Sequence, residues 1–516
     1  MRHTDADSIT VLARSFWVCG GHLQITGRDW TLSVKLRQCG FFGKMVTLEV
    51  AIGCVAKELL GCLGSSWPLV WRRYRPLNAG VSLLIELMRR CGVDTVSNRV
   101  LGSKMKGLSP GQMVECFVLL SALGGECVED FASLRNDGGL KALLGYRPPA
   151  VETARQYLDR FHDEQLLEGR PEQGAFVPME PSALAGLGVV NGQVIRNYVG
   201  VMGPGKEVTL DVDAHLVQTS KREALVCYEG YPAYQPLLVS WAETGLVLAD
   251  QFRDGNVPAG QGVGELVDRA YEALPAGEWQ VKVRSDSAAY QWEVLDHWND
   301  LGWQFAVSAD MSSGLRGEIG KLSADDWHYL ATDRDGKVRE WAEVAYVPSR
   351  KAESKSVPVY RYVVVRVRSA QGVLMDDGSD TDLMRHFAVV TNRWDLSGEE
   401  LLRWHRGKAG TIEQVHRVVK DELAGGVYPS GKFGANAAWL RLQVLTYNLL
   451  ELLKAAALPS EMRHARPKRL RFVVFTHMGK VVSHAGQRVM KVAKELFEKL
   501  LGPPRVRMRS LAWSSA

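Results

Sequence analysis

From Val208 the chain reads VTLDVDAHLV, an apolar strand in which Asp211 and Asp213 stand two residues apart and therefore on one face. A carboxylate among apolar strand residues is costly to bury unless it is paired or bound to a cation. The fold must compensate both acids. The segments YQPLLVSWA, GLVLADQF, WQVKVRSD and WQFAVSA continue the period-two or short apolar pattern, and residues 261–274 and 288–301 read as helices between them. Three strands, then helix, strand, helix, strand, predict an α/β layer with a mixed sheet.

Around this layer the pattern changes. Residues 1–70 show no steady periodicity and receive no assignment, and residues 77–170 read as an all-helical unit. Leu83, Leu84, Leu87 and Met88 recur at helical spacing, and Ser109-Pro110 opens a second helix whose apolar face holds Met113, Phe117 and Leu120. Between 312 and 385 the chain reads as pure β, with WAEVAYVP and VYRYVVVRVRSA alternating. HFAVVTN supplies another buried strand, a helix is predicted over Ser397 to Leu423, and a long apolar one over Ala435 to Ala456. The expected domains are 1–76, 77–170, 205–311, 312–385, 386–460 and 461–516.

Charge is unevenly spread. Residues 461–516 carry thirteen Lys/Arg against three acids, a net of +10, whereas the preceding residues sum to −5. A cationic tail on an acidic body suits a polyanion or a solvated basic surface. The eight cysteines include no Cys-x-x-Cys pair, which removes zinc ribbons and thioredoxin-like redox chemistry from consideration. No apolar run approaches the roughly 20 residues of a membrane span, and nothing near the start reads as a signal peptide. A cytoplasmic protein without membrane contact is expected.

The chemistry rests on acids. Asp286 ends the strand WQVKVRSD, and Glu413 sits in the basic stretch WHRGKAGTIEQVHRVVKDEL. Carboxylates from different elements meeting at one end of a sheet are a usual way to hold Mg2+, and two such ions about 4 Å apart would assist phosphodiester cleavage. Each acid alone is more often a turn former, a helix cap or half of a surface pair. The cations around them make the combination more specific. Arg284 precedes Asp286, Arg406 and Lys408 precede Glu413, and Glu413, Arg417 and Lys420 share one helical face. There is no phosphate loop, nucleophile elbow or HExxH pair. His405 and His416 read as core or solvent residues.

Three blocks in order, TLDVDAHLVQTSKREALVCYEGYPAYQPLLVSWAETGLVLADQFRDGN, VKVRSDSAAY and GTIEQVHRVVKDELAGG followed by FGANAAWLRLQVLTYNLLELL, resemble the DDE transposases of bacterial insertion sequences. Within them the sequence looks like the cut-and-paste branch with a β insertion between its second Asp and its Glu. The resemblance spans roughly residues 77–500. It implies a ribonuclease-H-like core, interrupted by an all-β insertion and preceded by a helical domain that helps bind the element's ends. It further implies two Mg2+ ions, with Mn2+ able to substitute, on Asp213, Asp286 and Glu413, with Asp211 as the alternate first acid. The partners implied are double-stranded DNA, both element ends and target, and a second copy of the chain in a synaptic homodimer at the nucleoid. Lys420, Arg417, Arg406, Lys408, Arg284 and Trp327 are the expected DNA contacts, with Lys351, Lys355, Arg361, Arg366 and Arg368 of the insertion beside them.

Three positions depart from the family pattern. Arg406 and Ala409 stand where Tyr and Arg are usual, and His215 replaces a Thr or Ser. The unplaced first 70 residues leave Met45 as an alternative initiator. Rival readings are a metal-dependent nuclease that cuts without joining, an inactive DNA-binding relic, and a scaffold with a basic tail.

Overall fold

The computed structural model describes residues 22–27, 30–38, 46–52, 75–102, 107–171, 174–203, 205–348, 359–368, 385–484 and 487–514. Lys351, Lys355 and Met45 lie outside them. Met1–Tyr74 and Arg75–Ala516 form two compact units. In the first, His22–Gly27, Trp30–Gln38 and Val46–Ile52 pair as an antiparallel three-stranded sheet. This segment carried no expected element, although TLSVKLRQ alternates with a period of two.

The second unit is built on a nine-stranded mixed sheet. Its strands are β1 (Glu207–Ala214), β2 (Leu237–Trp241), β3 (Val247–Gln251), β4 (Gln280–Ser285), β5 (Gln304–Ala309), β6 (His328–Thr332), β7 (Val338–Val344), β8 (Arg361–Arg368) and β9 (Arg385–Thr391), in the order β3-β2-β1-β4-β5-β9-β8-β7-β6. Only β1–β4 and β4–β5 are parallel. Parallel neighbours need long crossovers. Helices α1 (Val263–Glu272) and α2 (Trp292–Asp300) supply them, where helices were predicted.

The stretch 312–385 is not purely β and does not stand apart from this sheet. It opens with a helix at Ser313–Ile319, and its strands β6, β7 and β8 extend the same sheet. The reason lies in β9, an apolar strand that pairs with β5 on one side and with β8 on the other. Left as an edge, it would present a row of unpaired backbone groups.

The predicted 397–423 helix is two helices, α3 (Gly398–Arg406) and α4 (Lys408–Glu422). Ser397 caps α3 in a capping box with Glu400. The break at Gly407 has a local cause. Arg284 Nη1 donates to the Trp404 carbonyl at 2.6 Å, the acceptor that the Lys408 N–H would use in a continuous helix. A Cβ on residue 407 would come within 2.5 Å of the same Nη1.

The spine of the unit is α5 (Phe433–Ala456), which buries Trp439 and Leu445 and packs against the helices Pro110–Ala122 and Ser182–Met202. The helical segment and the sheet therefore share one core. The basic stretch is folded as well: Met478–His484 pairs with Gln487–Lys491 and with Arg75–Asn78. Arg505 reaches Glu86 at 3.1 Å. No helix among the described residues is long and apolar enough to cross a membrane.

Polar groups on α5 fix it to the sheet edge. The Asn448 side chain accepts from Val247 N at 2.9 Å and donates to Val247 O and to Asn191 Oδ1, both at 2.7 Å. Replacing Asn448 with Ala strands Val247 N and Asn191 Oδ1, buried groups that cost about 1–3 kcal/mol each, while Val247 O keeps the Asn191 amide as a donor at 3.1 Å. Chemical denaturation should therefore show a loss of about 2–4 kcal/mol relative to the parent chain.

Candidate active site

The two acids of β1 have opposite fates. Asp211 is fully buried. Its neighbour across the parallel ladder is Arg284, whose Nε and Nη2 donate to Asp211 Oδ1 and Oδ2 at 2.7 and 2.9 Å. The Thr411 hydroxyl also donates to Oδ2. A buried ion pair is tolerable only when such extra hydrogen bonds complete it. Asp211 is thus occupied by donors from β4 and α4, and Arg284, expected as a DNA contact, is enclosed in the core instead.

Asp213 lies two residues on, at the rim, with its side chain 16% exposed. Lys408 Nζ donates to its Oδ1 at 2.9 Å and to Val212 O at 3.2 Å. His416 Nε2 donates to the Asp213 carbonyl at 3.2 Å and stands 3.6 Å from Oδ2. Burial pushes the His416 pKa down to about 4, so the ring is neutral at pH 7. His215, whose ring centroid is 5.5 Å from that of His416, accepts from Lys420 Nζ at 3.1 Å. Its pKa is lowered by burial and by Lys420. Lys408, another expected DNA contact, is here the partner of a carboxylate.

Asp286 follows Ser285, the ladder partner of Val212, so its backbone continues beside that of Asp213. Its Oδ1 accepts from Ala288 N at 3.1 Å, which opens the turn after β4. Behind it, His405 Nε2 donates to Ser285 O at 3.0 Å. Burial, opposed by that carbonyl, sets the His405 pKa at about 4, with Lys408 and Arg284 adding repulsion.

The structure therefore brings Asp213 and Asp286 to the ends of adjacent parallel strands. It does not draw in Glu413, which is exposed on α4 together with Arg417, while Arg406 is exposed at the end of α3. Among the described residues no three His, Cys, Asp or Glu side chains stand close enough to share a metal ion. The donor set still suits a hard cation, because Mg2+ commonly takes one or two carboxylates and completes its shell with water and substrate phosphate. His416 and His215 were missed as site residues. The usable signal was the spacing of Lys408, Ile412, Val415 and His416, which share the face of α4 turned to the sheet.

Trp327 is half-buried, with the Arg366 guanidinium 4.2 Å from its ring centroid and His386 at 6.0 Å. Arg366 and Arg368 both donate to Glu340 at 2.7 Å. Arg361 is buried and donates to the carbonyls of Arg393 and Leu396, so it serves the fold rather than a nucleic-acid backbone.

With this geometry in place, comparison with known proteins decides the family. The family described as transposase DDE domain group 1 matches residues 77–501. The chain belongs to that family. DDE enzymes act in DNA transposition and use divalent metal ions, which accords with the paired carboxylates. No curated protein matches the sequence. Among solved structures, a piggyBac transposase synaptic complex with hairpin DNA aligns with a TM-score of 0.41 and 10% identity, over 77% of this chain and 80% of that one.

Asp211 and Asp213 should separate cleanly by experiment. Asp211→Asn leaves Arg284 buried without its counter-ion and should cost about 3–5 kcal/mol in chemical denaturation. Asp213→Asn, at the rim, keeps an amide oxygen for Lys408 to donate to and should cost clearly less than Asp211→Asn in the same assay.

Proposed function

We propose that this DDE-family chain cuts DNA at the ends of a mobile element of the bacterial insertion-sequence kind and joins those ends to target DNA, acting as a homodimer. The observation that carries the reading is the pair Asp213 and Asp286, ending adjacent parallel strands in a chain of a transposase family. The strand order β3-β2-β1-β4-β5, an antiparallel meander followed by two parallel strands, supports a ribonuclease-H-like core.

Asp213 and Asp286 are proposed as metal ligands, with Glu413, exposed on α4, as a third that would turn inward only when metal and DNA are bound. The ions they hold, Mg2+ or Mn2+, would activate the attacking oxygen and stabilise the leaving one. Thr411, Lys408 and His416 hold α4 against the end of β1, which supports α4 as the helix that supplies Glu413. His416, neutral at working pH, holds the Asp213 backbone without adding charge. Exposed Arg406 and Arg417 and half-buried Lys420 would meet phosphates beside the acids. Trp327, with Arg366 on its ring, is assigned to stacking against an unpaired base. The basic segment 461–516 adds affinity that is independent of sequence.

Asp286→Asn and Glu413→Gln should each abolish strand cleavage of the gene's flanking DNA while leaving binding to it intact. Gel shifts and cleavage assays on the same preparations decide this, and equal loss of both activities would contradict it. A target duplex in the same reaction separates joining from cutting alone. Log Kobs against log salt should have a slope of about −0.9 per phosphate contact, flattening by about one unit in Arg417→Ala.

A further inference from the structure

We propose that Lys408 is a resident counter-ion that keeps Asp213 closed to divalent metal until DNA arrives, and then transfers to a DNA phosphate. The inference rests on Asp213 being a metal ligand. It adds a regulatory role for a residue that the family pattern leaves without one.

Three observations converge on Lys408. Its ammonium is buried, and its two hydrogen-bond acceptors are Asp213 Oδ1 at 2.9 Å and Val212 O at 3.2 Å. It occupies one of the two Asp213 carboxylate oxygens, and a positive charge held there opposes a second one beside it. Its place in the helix is also electrostatically poor. Lys408 is the first residue of α4, and that first turn holds no acid, although the dipole there favours anions. Helix stability therefore does not explain a lysine at this position, whereas compensation of Asp213 does.

The surroundings leave Lys408 little alternative: His405 and His416 are neutral at pH 7, Arg284 is held by Asp211, and Asp286, the other acid of this corner, is itself proposed as a metal ligand. His215 is also electrostatically coupled to this corner. When a cation takes Asp213, the ammonium needs a new partner. An incoming phosphate supplies one within reach of a flexible four-carbon stem. Metal and DNA binding are then coupled, and by linkage each raises the affinity for the other by the same factor.

The test is Mn2+ binding to the full-length chain, followed by electron paramagnetic resonance with and without a short mixed-sequence duplex. The parent should bind Mn2+ weakly alone and about tenfold more tightly with the duplex. Lys408→Met should bind Mn2+ about tenfold more tightly than the parent without DNA, and the duplex should add little. Lys408→Arg keeps the charge and should remain weak without DNA. Should Lys408→Met fail to fold, Lys408→Gln, which can still donate to Val212 O, carries the same expectation. Unchanged or weaker Mn2+ binding in the neutral variants overturns the proposal. Asp213→Asn is the separate control: parent-like Mn2+ binding there would show that the ligand assignment, rather than the role of Lys408, has failed.

Discussion

A buried bidentate ion pair between adjacent parallel strands holds this site together. Arg284 on β4 and Asp211 on β1 face each other in register, and each makes a further bond beyond the pair. Arg284 also takes the Trp404 carbonyl, which ends α3 and starts α4 one residue later. Thr411 donates to Asp211 from within α4. One charge pair thus sets the strand register, the helix break and the docking of the helix that carries Glu413. Its full satisfaction is what makes two buried charges tolerable in the middle of a sheet.

The consequence for chemistry is a division of labour between acids two residues apart. Asp211 meets a rigid fork and two neighbouring elements, so its carboxylate is fixed. Asp213 meets the flexible ammonium of Lys408 at the rim, together with a neutral histidine that holds only its backbone firmly. The same residue type on the same strand face is therefore structural in one place and available in the other. The difference comes from the partner, since guanidinium recognition of a carboxylate is bidentate and an ammonium is a point charge.

Much of the sheet was legible because its strands are apolar runs bounded by turns, and the helices at Val263–Glu272, Trp292–Asp300 and Phe433–Ala456 follow their predicted spans closely. The acids stood out because carboxylates are rare among such runs. What the sequence could not supply was pairing across elements. Nothing near Arg284 in the chain says that Asp211, rather than DNA, is its partner, because that follows from strand register. The break at Gly407 depends on the same arginine. The stretch 312–385 read as a separate β unit because alternation reveals strands but not which edge they join. The basic segment read as a tail because charge marks a surface without showing that Met478–His484 pairs with Arg75–Asn78. In the first 70 residues, by contrast, the alternation of TLSVKLRQ is a strand signal legible in the sequence itself.

The central claim is that divalent metal binds where β1 and β4 end against α4. Iron-mediated cleavage of the polypeptide tests it most directly, because Fe2+ placed in a Mg2+ site generates hydroxyl radicals that cut the nearby backbone. With ascorbate, peroxide and a short duplex present, cuts mapped by mass spectrometry should cluster around Asp213, Asp286 and Glu413 and be suppressed by excess Mg2+. Cuts confined to other segments, or cleavage indifferent to Mg2+, would contradict the account.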